Sequence, residues 1–205
     1  MKYINIFLIV FLLYMSFLIA RSIARTNRIY EKHQKSFWEK ESQANFTRSR
    51  DISNLDYIRL PLDQLPLKDA ILAGCGKEVE ELKKFSEKNI INLSGYTNTD
   101  LKLMYGPANL EALTQCDNDY TSLIRLLNHI SSMLIEKDMT DSARKFLEYS
   151  ITIGSDISST YVNLGKIYMD LNQPDKVKDL MAQAASLTSL SGKTILAKLE
   201  KLLNT

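Results

Sequence analysis

The residues best suited to covalent or metal chemistry are few: Cys75, Cys116, His33 and His129. Cys75 sits between two glycines in "AGCGKEVEEL", where little bulk stands beside its thiol. A thiol enzyme needs a base to draw off the proton, and no His or Asp is identifiably paired with Cys75. The same stretch invites comparison with a phosphate-binding loop. That pattern asks for Gly where Ile71 stands and for a magnesium-holding Ser or Thr where Glu78 stands, so a turn leading into a helix fits better. Cys75 and Cys116 are widely separated in the chain, a spacing that suggests neither a metal site nor a disulfide framework and agrees with a reducing compartment. His33 falls in a basic stretch and His129 beside the apolar positions of a long periodic segment, and no carboxylate pair has a catalytic setting. The expectation is a protein without catalysis, metal or cofactor, with a thiol enzyme using Cys75 as the alternative from that class.

With chemistry thin, the weight falls on how the elements are laid out. The net charge of +2 is unevenly placed: residues 21–50 hold eight Lys or Arg against three Asp or Glu, whereas residues 51–205 hold 17 against 21. The acidic remainder carries no basic stripe, which argues against a nucleic-acid partner. The basic block comes directly after "YINIFLIVFLLYMSFLIA", Tyr3 to Ala20, a stretch without a single charge. As a helix this stretch spans about 27 Å, close to the roughly 30 Å of a hydrocarbon core. Twelve of its residues are Ile, Leu, Phe or Val, which favours insertion by about 4–7 kcal/mol at roughly 0.3–0.6 kcal/mol each. A cleaved signal peptide is the alternative, but the apolar run is long for one, and bulky Leu18 opposes a cut after Ala20. Residues 1–24 are therefore expected to form a retained transmembrane signal-anchor in contact with membrane lipid. Arg21, Arg25, Arg28, Lys32 and Lys35 outweigh Lys2 on the other flank, which places the rest of the single-pass chain in the cytoplasm. The same five residues suit anionic headgroups.

Residues 25–50 read as a basic juxtamembrane helix continuing from the anchor. Ile23, Tyr30, Phe37 and Ala44 recur in a heptad rhythm without a full coiled-coil seam, and so read as one stripe lying on lipid or on the domain. Ser16, Ala20 and Ala24 form a small-residue row, a candidate for weak homodimerisation. Residues 51–76 read as an extended arm or linker: Pro61 and Pro66 forbid a continuous helix, while Ile58, Leu60 and Leu62 are too apolar for a free linker. The arm is expected to dock on the helical domain, and in the sharper reading to occupy a ligand groove. Residues 77–123 read as a helical cap or degenerate repeat, with "IINLSGY" as a short strand or turn, a short helix over Asp100–Tyr105 and another starting at Pro107. Further helices are expected over Tyr120–Glu136, Met139–Ile153, Ser159–Leu171, Pro174–Leu187 and Lys193–Leu203, so the fold class is all-α.

One register recurs in this last part. Counting from Ser158, Tyr161, Leu164, Gly165 and Tyr168 fall at 4, 7, 8 and 11, and Val177, Met181 and Ala184 at 20, 24 and 27. Counting instead from Ile124, Leu127, Ile130, Ser131 and Leu134 take the first four places, and Ala143, Leu147 and Ser150 the last three. Residues 124–191 thus resemble two tetratricopeptide repeats, each a 34-residue helix–turn–helix with large and small residues at those positions. The position where that family often has Pro holds Ser155 and Ser189. Residues 192–205 suit a C-terminal capping helix. The resemblance implies a concave surface that binds a protein or peptide partner, lined by Arg125, Asn128, Ser132 and Ile135 from the first unit and Ser159, Val162, Lys166 and Met169 from the second. It implies a membrane-anchored adaptor or assembly factor; the alternative is an extracytoplasmic helper in envelope biogenesis or secretion.

Overall fold

The computed structural model describes the backbone of residues 2–187 and 189–204, with the side chains of residues 2–9 outside the description. The described residues are all-α, without a strand: α1 (Lys2–Asn45), α2 (Leu67–Leu72), α3 (Gly76–Ser86), α4 (Asn98–Tyr105), α5 (Leu110–Glu136), α6 (Thr140–Thr152), α7 (Ser158–Asp170), α8 (Pro174–Ala185) and α9 (Ser191–Leu203), with a 3-10 turn at Pro107–Asn109. They form two compact units. One is the chain up to Arg50 together with Asn98–Ala108, and the other is Asp51–Thr97 together with Asn109 onward.

The first unit is built on α1, 44 residues with no Gly or Pro to interrupt its hydrogen-bond ladder. Its last turns are held by α4 through polar contacts. The Glu41 carboxylate accepts hydrogen bonds from Thr99 Oγ1 at 2.6 Å and from Lys102 Nζ, Lys102 also reaches Asn45 Oδ1 at 2.9 Å, and Lys40 pairs with Asp100 at 2.8 Å. The helix stops at Asn45, short of the expected residue 50. The chain beyond it runs against the end of α4, where the Arg50 amide donates to the Tyr105 carbonyl at 3.0 Å. Gly106 makes this approach possible. Its φ is +87°, and a Cβ there would lie 2.6 Å from Ser49 Cα. Of the heptad stripe only Ala44 is buried; Ile23, Tyr30 and Phe37 are exposed.

The second unit has a continuous apolar core. The arm is docked as expected: Leu65 is buried, and Ile58, Leu60 and Leu62 pack on the core. The Ile58 amide donates to the Ile90 carbonyl at 2.8 Å, and Tyr149 of α6 donates its hydroxyl proton to the Arg59 carbonyl at 3.1 Å. Residues 67–72 of the arm, expected to be extended, are helical, with Asp69 of α2 accepting from Ser142 of α6. "IINLSGY", expected as a short strand or turn, is an irregular segment that turns at Ser94–Gly95, its Leu93 amide bonded to Asp117 of α5 at 2.9 Å and its Asn92 side-chain amide bonded to the Tyr120 hydroxyl at 3.0 Å. The helices expected from Pro107 and from Tyr120 are one, α5.

Turn chemistry recurs with the core. After α5 the chain enters the left-handed region at Asp138 (φ 57°), and it does so again after α7 at Asn172 (φ 55°), one repeat length further along. Asp and Asn are the non-glycine residues that tolerate this conformation best. Both turns carry the same hydrogen-bond pair of a left-handed helix stop: Asp138 to Ile135 O at 3.0 Å with Met139 to Leu134 O at 2.9 Å, then Asn172 to Met169 O at 2.9 Å with Gln173 to Tyr168 O at 2.8 Å. Each turn sends the following helix back along its predecessor, giving the hairpins α5–α6 and α7–α8. Every large or small position of the repeat register is buried except Met181, which is half-buried while its neighbour Leu180 takes the core place. The small polar positions are satisfied within their own helices, Ser131 on Leu127 O at 2.7 Å and Ser150 on Phe146 O at 2.9 Å. α9 packs on both α7 and α8. It comes so close at Gly165 that a Cβ there would lie 2.9 Å from Leu199 Cδ2 and 3.2 Å from Leu202 Cδ1.

Gly165→Leu should therefore dislodge α9 at a cost of about 1–3 kcal/mol. The expected result is a lower thermal midpoint with faster amide exchange in α9, and an unchanged midpoint would contradict the close contact. In the first unit, the hydrogen bond from Lys102, followed by that from Thr99, holds the Glu41 carboxyl below its ordinary value. Such a group stabilises the folded state above its unfolded pKa, near 4.3, and that support is lost as pH falls through the lower folded value. The protection of α4 amides, taken relative to their intrinsic exchange at each pH, should fall on acidification below about pH 4.3, and Glu41→Gln should remove much of this pH response.

Candidate functional site

The eight residues assigned to a groove lie on two helices, Arg125, Asn128, Ser132 and Ile135 on α5 and Ser159, Val162, Lys166 and Met169 on α7. They are not equally available. Arg125, Ser159 and Lys166 are exposed, the other five are half-buried, and Ile135 and Met169 pack against the core. Asn128 and Ser159 are joined: Asn128 Oδ1 accepts from Ser159 Oγ at 2.9 Å and from Thr160 Oγ1 at 3.2 Å, and Thr160 is buried. Ser132 Oγ donates to the Asn128 carbonyl at 3.0 Å. Asn128 thus ties α5 to α7. The side chains of Arg125 and Lys166 make no ion pair or hydrogen bond with another described residue, so α5 and α7 each offer one exposed cation.

A polar network that the sequence does not announce lies between α6 and α7. Glu148 Oε1 accepts from Arg144 Nη1 at 2.9 Å and from the Tyr168 hydroxyl at 2.9 Å, while Arg144 Nη2 reaches Asp141 at 3.4 Å. Burial, with the negative Glu148 beside it, drives the Tyr168 hydroxyl far above the ordinary tyrosine range, so it remains a proton donor. The helical spacing of Arg144 and Glu148 is the readable half of this network. Tyr168 is marked by its spacing only as a core position. The network borders an open cleft of about 540 Å³ between α6, α7 and α8, lined also by Ile151, Leu164, Leu180 and Gln183.

The residues considered for chemistry are dispersed. Cys75 is buried at the α2–α3 turn. Its amide donates to Ala70 O at 2.9 Å, and Gly74 takes φ +99°, so "AGCGKEVEEL" is a helix stop followed by a helix start. Burial first, and Glu78 second, raise the thiol pKa, opposite to the shift that makes a nucleophilic thiolate. Burial also raises Cys116, with help from Asp119. His129 Nε2 lies 3.7 Å from Glu78 Oε1 across α3 and α5. No group of His, Cys, Asp and Glu among the described residues is placed to hold a metal ion.

On α1, Arg21, Arg25, Arg28, Lys32 and Lys35 are all exposed, as are Ser16, Ala20 and Ala24. Among the described residues no helix is long and apolar enough to cross a membrane. The anchor expected over Tyr3–Ala20 includes residues 3–9, whose side chains lie outside the description. From Val10 to Ile19 the large apolar side chains are exposed on every side of the helix. No family model, curated protein or solved structure matches the chain.

Asn128→Ala leaves the hydroxyl of buried Thr160 without its partner and should destabilise the second unit by about 1–3 kcal/mol. Denaturant unfolding checks this, and an unaltered midpoint would return Asn128 to a purely surface role.

Proposed function

We propose that this chain is a membrane-anchored adaptor whose hairpins over residues 124–191, similar to tetratricopeptide repeats, hold a protein or peptide partner along the face shared by α5 and α7. The observation that carries the reading is the recurrence at one repeat length. Buried large and small positions, left-handed residues at Asp138 and Asn172, and their hydrogen bonds all repeat at that spacing. Stacked hairpins of this kind present extended binding surfaces. Support for the anchor comes from α1, which exposes apolar side chains all round from Val10 to Ile19 and then five basic residues. That layout suits lipid and a cytoplasmic position for the rest of the chain. The raised thiol of Cys75 weighs against the enzyme alternative.

Arg125→Glu with Lys166→Glu tests the binding face. Both side chains are exposed, so stability should change by no more than about 0.5 kcal/mol, while capture of an acidic or polar partner from solubilised native membranes should fall sharply. Lys145→Glu with Lys178→Glu, also exposed, is the matched control. Loss of partners by the control pair and not by the α5–α7 pair would move the binding surface elsewhere.

A further inference from the structure

We propose that α1 pairs in parallel with α1 of a second copy of this chain, along a seam from Ser16 to Phe37. An unbroken α-helix turns about 100° per residue. On that wheel Ser16, Ala20, Ile23, Asn27, Tyr30, Gln34 and Phe37 fall on one face with alternating spacings of four and three, the spacing of a two-helix seam. All seven are exposed. One set of core places holds Ser16, Ile23, Tyr30 and Phe37, and the alternate set holds Ala20, Asn27 and Gln34. Polar residues at the alternate set weaken such a seam but fix register and favour two strands. Gln34 is already oriented along the seam by its hydrogen bond to the Tyr30 hydroxyl at 3.0 Å. The next seam position, Glu41, is occupied by Thr99 and Lys102, which ends the seam at about three heptads.

The charge layout of α1 favours a second copy as the occupant. Arg21, Arg25, Arg28, Lys32 and Lys35 all fall within an arc centred about 150° from the seam. A second copy laid in parallel therefore meets apolar and uncharged polar groups, with the two basic arcs turned outward. A foreign acidic helix would be drawn instead to the basic arc. Ser16 and Ala20, the two small residues on the seam, also let the two backbones come close where the apolar stretch begins to give way to the basic one. The parallel sense of the pair rests on the anchor reading, because copies inserted in one membrane share one direction; the seam itself does not.

Single cysteines at 23, 27, 30 and 34, and at 25, 28 and 32, placed in a Cys75→Ala, Cys116→Ala full-length chain, test the pairing by oxidative cross-linking in native membranes. Strong dimer bands at the four seam positions and none at the three basic-arc positions are expected. Cross-linking between identical residues all along the seam requires the parallel sense. Equal bands in both sets, bands confined to the basic arc, or no dimer at any position would overturn the proposal. Alkaline carbonate extraction of the same samples reports separately on the anchor: release of the chain sinks the anchor reading, while the cross-linking pattern still decides the seam.

Discussion

Helices of 12 or 13 residues are marginal in water on their own, because nucleation costs more than so few hydrogen bonds return. α6, α7, α8 and α9 are all of that length, so each depends on burying one face against the next. The architecture of the second unit is a consequence of this dependence. Between α5 and α6, and again between α7 and α8, the chain must reverse within a short turn, and a left-handed residue at a helix stop does so while satisfying the last carbonyls. The small residues then set how closely the layers approach: Ser131 and Ser150 close their own polar groups locally, and Gly165 admits the leucines of α9.

The first unit uses a different cohesion. Its contacts between α1 and α4 are mainly ionic and hydrogen-bonded, centred on Glu41, with Ala44 and Leu101 as buried apolar members. Partly exposed ion pairs contribute little individually, and this one depends on the ionisation of Glu41. Mild acid should therefore act on the polar clasp of the first unit, whereas the second rests mainly on its apolar core.

The readable features were those with local periodicity. The helical faces through Leu127, Ile130 and Leu134, and through Tyr161, Leu164 and Tyr168, announce themselves by spacing, and all six residues are buried. The left-handed stops at Asp138 and Asn172 were less visible, since Asp and Asn serve as well in ordinary turns and caps. Nothing local told that 98–108 would group with α1, because Glu41 and Lys102 are 61 residues apart in sequence and meet only through the fold. The exchange of Met181 for Leu180 in the core has the same origin, as one residue of helical rotation is settled by packing and not by pattern. Asn128 shows at the candidate site what spacing does not reveal. By position it belonged to a binding face, but a half-buried amide opposite Ser159 and Thr160 satisfies its neighbours before it can meet a partner.

That commitment narrows the chemistry of the α5–α7 face. With Asn128 and Ser159 bonded to one another and Ile135 and Met169 packed inward, the charge that remains accessible is that of Arg125 and Lys166. Two separate cations on flexible stems do not form the fork that grips a single carboxylate, so they act better as attraction than as a clamp. Val162, on the same face, is half-buried and small. Under the adaptor reading, these charges would set encounter rate and orientation, with the part-exposed surface of Val162 supplying apolar contact. The chain beyond residue 50 is only mildly acidic, with 21 Asp or Glu against 17 Lys or Arg. Under the adaptor reading, an acidic segment would therefore meet weak net repulsion from the chain as a whole and local attraction from these two cations, which makes discrimination a property of contrast and not of strength.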